Sequence, residues 1–394
     1  MEHRYSLIYI LPICVVYILV ISFTTESEKQ ISKFFQKKFS KNFSKSKSCP
    51  ILQGQKHQFN QILLFSLPGS GNTWTRFLIE QATGYATGSV YFDPELAENF
   101  IGEGMDVTEN STIVIKSHYA KFFRKPEEHM GDILARDTEN YKLSGCVFIF
   151  RDIFDAILSE FSRVVNHKMV KMHGQNADFD IDEHTQKINF KELYQNNETI
   201  HINAAGEPIG FNTFWHKRFR LLVKEFADMY KKVHKFCKDP ENVFILRYEE
   251  LKNSDSNNSK NENLHESLKN LVIFLNKINE GNENYRQIRY RENCINQNSH
   301  GYYHRNSNKS EDQSGEDIDS EKSTKINPRQ YLDNYDKYLA TRSLKFVDKL
   351  LIQNFGQKQG LPEKYFLEDF TDADMDRIEH SVELREKISH ISFR

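Results

Sequence analysis

Ile62-Leu-Leu-Phe-Ser-Leu-Pro-Gly-Ser-Gly-Asn-Thr-Trp-Thr-Arg-Phe-Leu-Ile-Glu80 holds three structural signals in succession. Its apolar start reads as a buried strand. Pro68, Gly69, Ser70 and Gly71 break the run, and Asn72 opens an amphipathic helix with Trp74, Phe77 and Leu78. A strand, a small-residue loop and a helix N-terminus together make an anion cradle: free amides point at the ligand and the helix dipole adds positive potential. No lysine follows Gly71, so the loop is not the G-x-x-x-x-G-K-[ST] of nucleotide-hydrolysing enzymes. Trp74 stands where a dinucleotide fingerprint needs its third glycine. Taken alone, the loop reads equally as a ligand cradle and as a tight strand-to-helix turn.

Two further segments favour the cradle. Thr112-Ile-Val-Ile-Lys116-Ser117-His118 is a short β-branched strand ending in a lysine and a histidine one residue apart. Alternation puts both on the same side of the strand, at the sheet edge where open α/β folds bind ligands. Cys146-Val-Phe-Ile-Phe-Arg151 is another buried strand, and Arg151 leads into a helix marked by Ile153, Phe154, Ile157, Leu158 and Phe161. Asp152 and Asp155 in its first turn suit the helix dipole. Arg151 and Ser159 are both suited to reach a phosphate.

These segments resemble sulfotransferases that use 3′-phosphoadenosine 5′-phosphosulfate (PAPS). In that family a P-K-S-G-T-T-W loop binds the 5′-phosphosulfate; Pro68-Gly69-Ser70-Gly71-Asn72-Thr73-Trp74 stands in its place, and the resemblance gives Trp74 the role of stacking on adenine. Lys116-Ser117-His118 matches a K-T-H segment, which implies a lysine beside the transferred sulfuryl group and a histidine base. Arg151 to Ser159 keeps the Arg, Asp and Ser spacing of the 3′-phosphate segment R-N-P-x-D-x-x-x-S. Phe244-Ile-Leu-Arg-Tyr248-Glu249-Glu250-Leu251 is similar to a strand end whose tyrosine lies near the nucleotide, and Arg305 falls in a late basic segment that adds to the 3′-phosphate site. The loop, with Glu80-Gln81-Ala82-Thr83-Gly84 and Thr87-Gly88-Ser89-Val90-Tyr91, is most similar to the subgroup of WSC-domain-bearing sialate O-sulfotransferases, without a Cys-rich WSC module. The resemblance implies in-line sulfuryl transfer to a glycan or glycoprotein acceptor, with His118 and Lys116 catalytic. It needs no metal. Gly69 departs from the family, which often has Lys or Arg there; the expectation is that Lys116 carries that burden, with help from Arg76. A small-molecule kinase and a non-catalytic nucleotide-binding protein are the alternatives.

Tyr5 to Phe23 is a nearly unbroken apolar run, long enough for the roughly 20 residues that span a bilayer. It predicts a signal anchor after a short tail at 1–4, followed by a luminal stem at 24–58; a cleaved signal peptide is the other reading. Arg4 precedes the run and Lys29, Lys33, Lys37 and Lys38 follow it, so the charge flanks point the opposite way to the sequons Asn42-Phe-Ser, Asn110-Ser-Thr, Asn197-Glu-Thr, Asn257-Asn-Ser and Asn308-Lys-Ser. The family implies a single-pass type II protein of the Golgi membrane, its catalytic domain luminal. Residues 59–357 are expected to form one α/β domain: a three-layer fold with a central parallel sheet and a phosphate-binding-loop core. Polar tracts at 253–263 and 306–324 read as disordered insertions, and 358–394 as a charged tail. Cys49, Cys146, Cys237 and Cys294 allow three pairings. The spacing of Cys294, His300 and His304 fits no standard zinc pattern. A net charge of −2 argues against a nucleic-acid partner.

Overall fold

The computed structural model describes residues 49–91, 93–118, 143–173, 190–202, 207–237, 239–252, 262–298, 326–356, 360–368 and 370–380. In chain order the elements are β1 (Ile62–Ser66), α1 (Asn72–Thr83), β2 (Gly88–Ser89), α2 (Pro94–Ala97), β3 (Ile115–His118), β4 (Gly145–Phe150), α3 (Ile153–His173), α4 (Phe190–Asn196), β5 (Thr199–Ile202), β6 (Pro208–Gly210), α5 (Phe211–Phe236), β7 (Val243–Arg247), α6 (Tyr248–Leu251), α7 (Glu262–Asn279), α8 (Glu292–Asn298), α9 (Asn334–Phe355) and α10 (Asp372–His380). The expected anchor and most of the stem, most of the first polar insertion, the second insertion and Arg305 lie outside the described residues. Among the described residues no helix is long and apolar enough to cross a membrane.

Five strands form one sheet in the order β2-β3-β1-β4-β7, and every pair is parallel. The cause is visible in β1 and β4. Leu63 and Phe65, with Cys146, Phe148 and Phe150, enter one apolar cluster; Ile62 and Leu64, with Val147 and Ile149, enter the other. A strand that is apolar on both faces must be covered on both. The first cluster is closed by α3, α5 and α9, and the second by α1 and α7. This is the expected three-layer architecture, and β1, bearing the glycine loop, is its central strand. A separate antiparallel pair, β5 with β6, was not foreseen.

Two disulfides select one pairing of the four cysteines. Cys146–Cys237 ties the start of β4 to the residue after α5, with Cα atoms 6.2 Å apart. Cys49–Cys294 ties the start of the domain to α8, at 5.7 Å. Packing also continues beyond the expected domain end at 357. Tyr365, Leu367, Phe370 and Ile378 all belong to the first apolar cluster, so residues 360–368 and 370–380 are part of the folded unit.

Candidate active site

Gly69 and Gly71 both have positive φ, 82° and 81°, the left-handed region that glycine enters without strain. A Cβ at Gly69 would lie 2.1 Å from the carbonyl oxygen of Ala156 in α3, and one at Gly71 would lie 2.3 Å from Cε2 of Tyr248. The loop is therefore threaded between the α3 backbone and the Tyr248 ring. That packing is the physical reason why Gly69 carries no lysine: backbone occupies the space. Gly71 is the N-cap of α1, and no side chain caps the amides at that end of the helix. Asn72 is buried; its Nδ2 donates to Ser66 Oγ at 3.0 Å while its Oδ1 is left without a hydrogen-bond partner. The amide works in either orientation, because the Ser66 hydroxyl can accept or donate. Turned over, Asn72 presents an NH2 donor on the orphaned side. Ser70 is buried and Thr73 half-buried beside it.

The β3–β1 register pairs Lys116 with Leu64 and His118 with Ser66, so both sequence-predicted catalytic residues stand next to the cradle. His118 Nδ1 lies 3.1 Å from the Ser66 carbonyl oxygen, which can only accept. Nδ1 therefore carries the proton, and Nε2 keeps its lone pair. Burial, with Lys116 nearby, pulls the His118 pKa down to about 3, so the ring is neutral at physiological pH. Burial, and then Arg76, lower Lys116 to about 8, which leaves it mostly charged at neutral pH. Tyr91 has no sequence-predicted role. Its hydroxyl donates to the His118 carbonyl at 2.8 Å and lies 3.0 Å from the His118 amide, and its ring stacks on the imidazole at a centroid distance of 5.8 Å. The only sequence signal was its place in the T-G-S-V-Y segment.

Arg151 follows β4 on the other side of β1. Its Nη1 donates to the Gly69 carbonyl at 2.6 Å, and its guanidinium lies over the Tyr248 ring, 4.6 Å from the centroid. Trp74 is 5% exposed and meets Tyr248 edge to face at 5.5 Å. The structure thus gathers Gly69, Gly71, Trp74, Arg151 and Tyr248 on one side of the cradle. Ser159 is half-buried in the α3 turn that passes Gly69. Arg163, one turn further along, depresses both Lys116 and His118 electrostatically and was not foreseen.

Arg76 does not take the role expected for it. It is fully buried, paired with Glu103 at 2.5 Å, bonded to Thr87 Oγ1 and the Thr87 carbonyl at 2.9 and 3.0 Å, and stacked on Phe100. All three of its nitrogens are engaged in structure, because it lies one helical turn away from the open N-terminus of α1. Cys294 is held in its disulfide with Cys49.

No family model matches the chain. A WSCD family member of Aedes aegypti is 50% identical over 56 residues, 14% of this chain and 17% of that protein. One from Drosophila pseudoobscura pseudoobscura is 37% identical over 101 residues, 25% of this chain and 27% of that protein. One from Drosophila melanogaster is 48% identical over 56 residues, again 14% and 17%. Among solved structures, the mouse sulfotransferase SULT7A1 complexed with PAP shares 17% identity, with a TM-score of 0.25 over 57% of this chain and 60% of that one. The matches thus span between about a sixth and about a quarter of the curated relatives' length, and over those segments the chain is similar to the WSCD family.

Proposed function

We propose that the chain is a PAPS-dependent sulfotransferase that sulfates a hydroxyl of a glycan or glycoprotein, sialic acid among the candidate acceptors. One observation carries this reading. A single sheet edge joins an uncapped helix N-terminus, a neutral histidine with a free Nε2, a buried lysine, and an arginine stacked on a tyrosine. The orphaned Asn72 amide and the two left-handed glycines fit a bound phosphosulfate. The acceptor hydroxyl gives its proton to His118 Nε2 while its oxygen forms a bond to sulfur. The sulfur–oxygen bond to the 5′-phosphate breaks, and 3′-phosphoadenosine 5′-phosphate (PAP) leaves. Lys116 and the amides of Ser70 to Thr73 stabilise charge on the sulfuryl group and the bridging oxygen. Arg151, Ser159 and Arg305 hold the 3′-phosphate, and Trp74 and Tyr248 flank the base. No step is assigned to a metal. The two disulfides and the exposed sequon at Asn197 support a luminal placement, and the expected anchor with the family resemblance supports a type II Golgi one.

The test is transfer of radiolabel from PAPS to a glycan panel, with His118→Ala beside the wild type. Wild-type transfer falling about 10²–10⁴-fold in the variant is expected from losing a general base. Equal turnover in both proteins removes His118 from the chemistry. The crowding at Gly69, which bars a loop lysine, favours a second reading, a nucleotide-binding protein without turnover. PAP binding without transfer to any acceptor selects it, and preference for ATP over PAPS selects a kinase. A glycosidase that leaves the mobility of the cell-expressed protein unchanged overturns the luminal placement.

A further inference from the structure

The C-terminal segment is bonded to the two strand ends that carry Arg151 and Tyr248. Tyr365 is 1% exposed, and its hydroxyl donates to Glu249 Oε2. Glu249 Oε1 accepts the backbone N–H of Asp152 at 2.9 Å. Asp152 Oδ2 pairs with Arg329 Nη2 at 2.7 Å, and the same nitrogen donates to the Lys364 carbonyl at 2.9 Å. The bonds close a ring: Tyr365, Glu249, Asp152, Arg329, Lys364 and back to Tyr365. Arg247 Nη2 adds a bond to the Gly360 carbonyl at 3.0 Å.

Position in the chain gives this ring its meaning. Asp152 directly follows Arg151, and Glu249 directly follows Tyr248. One carboxylate, Glu249, therefore spans the ends of β4 and β7, and the same two strand ends carry Arg151 and Tyr248, stacked at 4.6 Å. Leu367, Phe370 and Ile378 anchor the segment in the core, so the Tyr365 hydroxyl is presented from a fixed base. Burial, and then Glu249, hold the Tyr365 phenol well above its usual range, which keeps it a donor.

We propose that Tyr365 is a positioning residue for nucleotide binding: through Glu249 it sets the separation of the β4 and β7 ends at which Arg151 and Tyr248 engage the nucleotide together. This rests on the reading of the site given above. The experiment measures PAP affinity by calorimetry, KM for PAPS, kcat and the thermal midpoint on the full chain for wild type, Tyr365→Phe, Glu249→Gln and the double variant. A hydrogen bond to a charged group predicts about tenfold weaker PAP binding and a similarly raised KM in each single variant, with kcat kept. The double variant is expected to lose no more than the stronger single one, because both break the same link. Unchanged affinity with a lowered thermal midpoint makes Tyr365 merely structural and overturns the proposal, and so does full additivity. If Tyr365→Phe does not fold, Glu249→Gln decides by the same two readouts. A wild type that binds no PAP brings down the functional reading and this inference together; a wild type and variants that bind equally bring down this inference alone.

Discussion

Two helix N-termini in this molecule are finished in opposite ways. At α9, Asp333 accepts the Asp336 amide at 2.8 Å and the Asp336 side chain returns to the Asp333 amide, a complete capping box. Arg220 then pairs with both carboxylates, at 2.5 and 2.6 Å, and His216 bonds Asp336. His216, Asp333 and Asp336 lie close enough to ligate a metal ion, but the Arg220 guanidinium already occupies both carboxylates, and the cluster serves as a helix terminus. At α1 the N-cap is a glycine and no side chain closes the end. A helix terminus that does not satisfy its own amides needs something else to do so, and α1 is the one that opens onto Lys116, His118 and Arg151.

The largest break in this contrast is Gly69→Lys, which puts the lysine of the wider family back into the loop. It is expected to destabilise the fold by about 2–4 kcal/mol, since a left-handed backbone and a filled space both oppose a side chain. Denaturant unfolding checks this; a stable, more active variant shows that the loop can move away from Ala156. Removing the other terminus's cap is milder. Asp333→Ala is expected to lower stability by about 1 kcal/mol and to leave PAP affinity unchanged. A loss of nucleotide binding there means that the two ends of the molecule are coupled. The smallest effect is on pH dependence. Lys116 is charged below about 8 and neutral above, so kcat/KM is expected to fall on the basic side through that value. His118 is already neutral above about 3, so no acid limb is expected near the usual histidine pKa. A pH profile of wild type and Lys116→Arg tests both, and a basic limb that survives in Lys116→Arg belongs to another group.

Much of this was legible in the chain because it is local. The helix expected to open at Asn72 is α1, and the buried strands expected from Ile62 and from Cys146 are β1 and β4. Short-range alternation and the glycine break encode those elements, and the two-faced apolar pattern of β1 and β4 encodes a buried parallel sheet. Lys116 and His118 were found because a strand's period of two places both at the edge. What was missed is non-local. Tyr91 is one residue of a five-residue segment, and only the β2–β3 pairing brings it onto His118. Arg76 looked available for catalysis until Glu103 and Thr87, distant in sequence, closed around it.

The sequence by itself determined that this chain has a strand, a glycine loop and a helix in succession, that Lys116 and His118 share one side of a strand end, and that Arg151 ends a second strand, because spacing along one strand or one helix turn sets those relations. Tertiary structure alone decided four further points: that those strand ends are neighbours, why Gly69 is glycine, which of the three cysteine pairings forms, and that the C-terminal segment reaches the strand ends that carry Arg151 and Tyr248. Each depends on atoms many residues apart meeting across the sheet: Ala156 against Gly69, Cys49 against Cys294, and Tyr365 against Glu249. No period or motif in a linear chain records such a meeting, since it follows from how two apolar faces are buried at once.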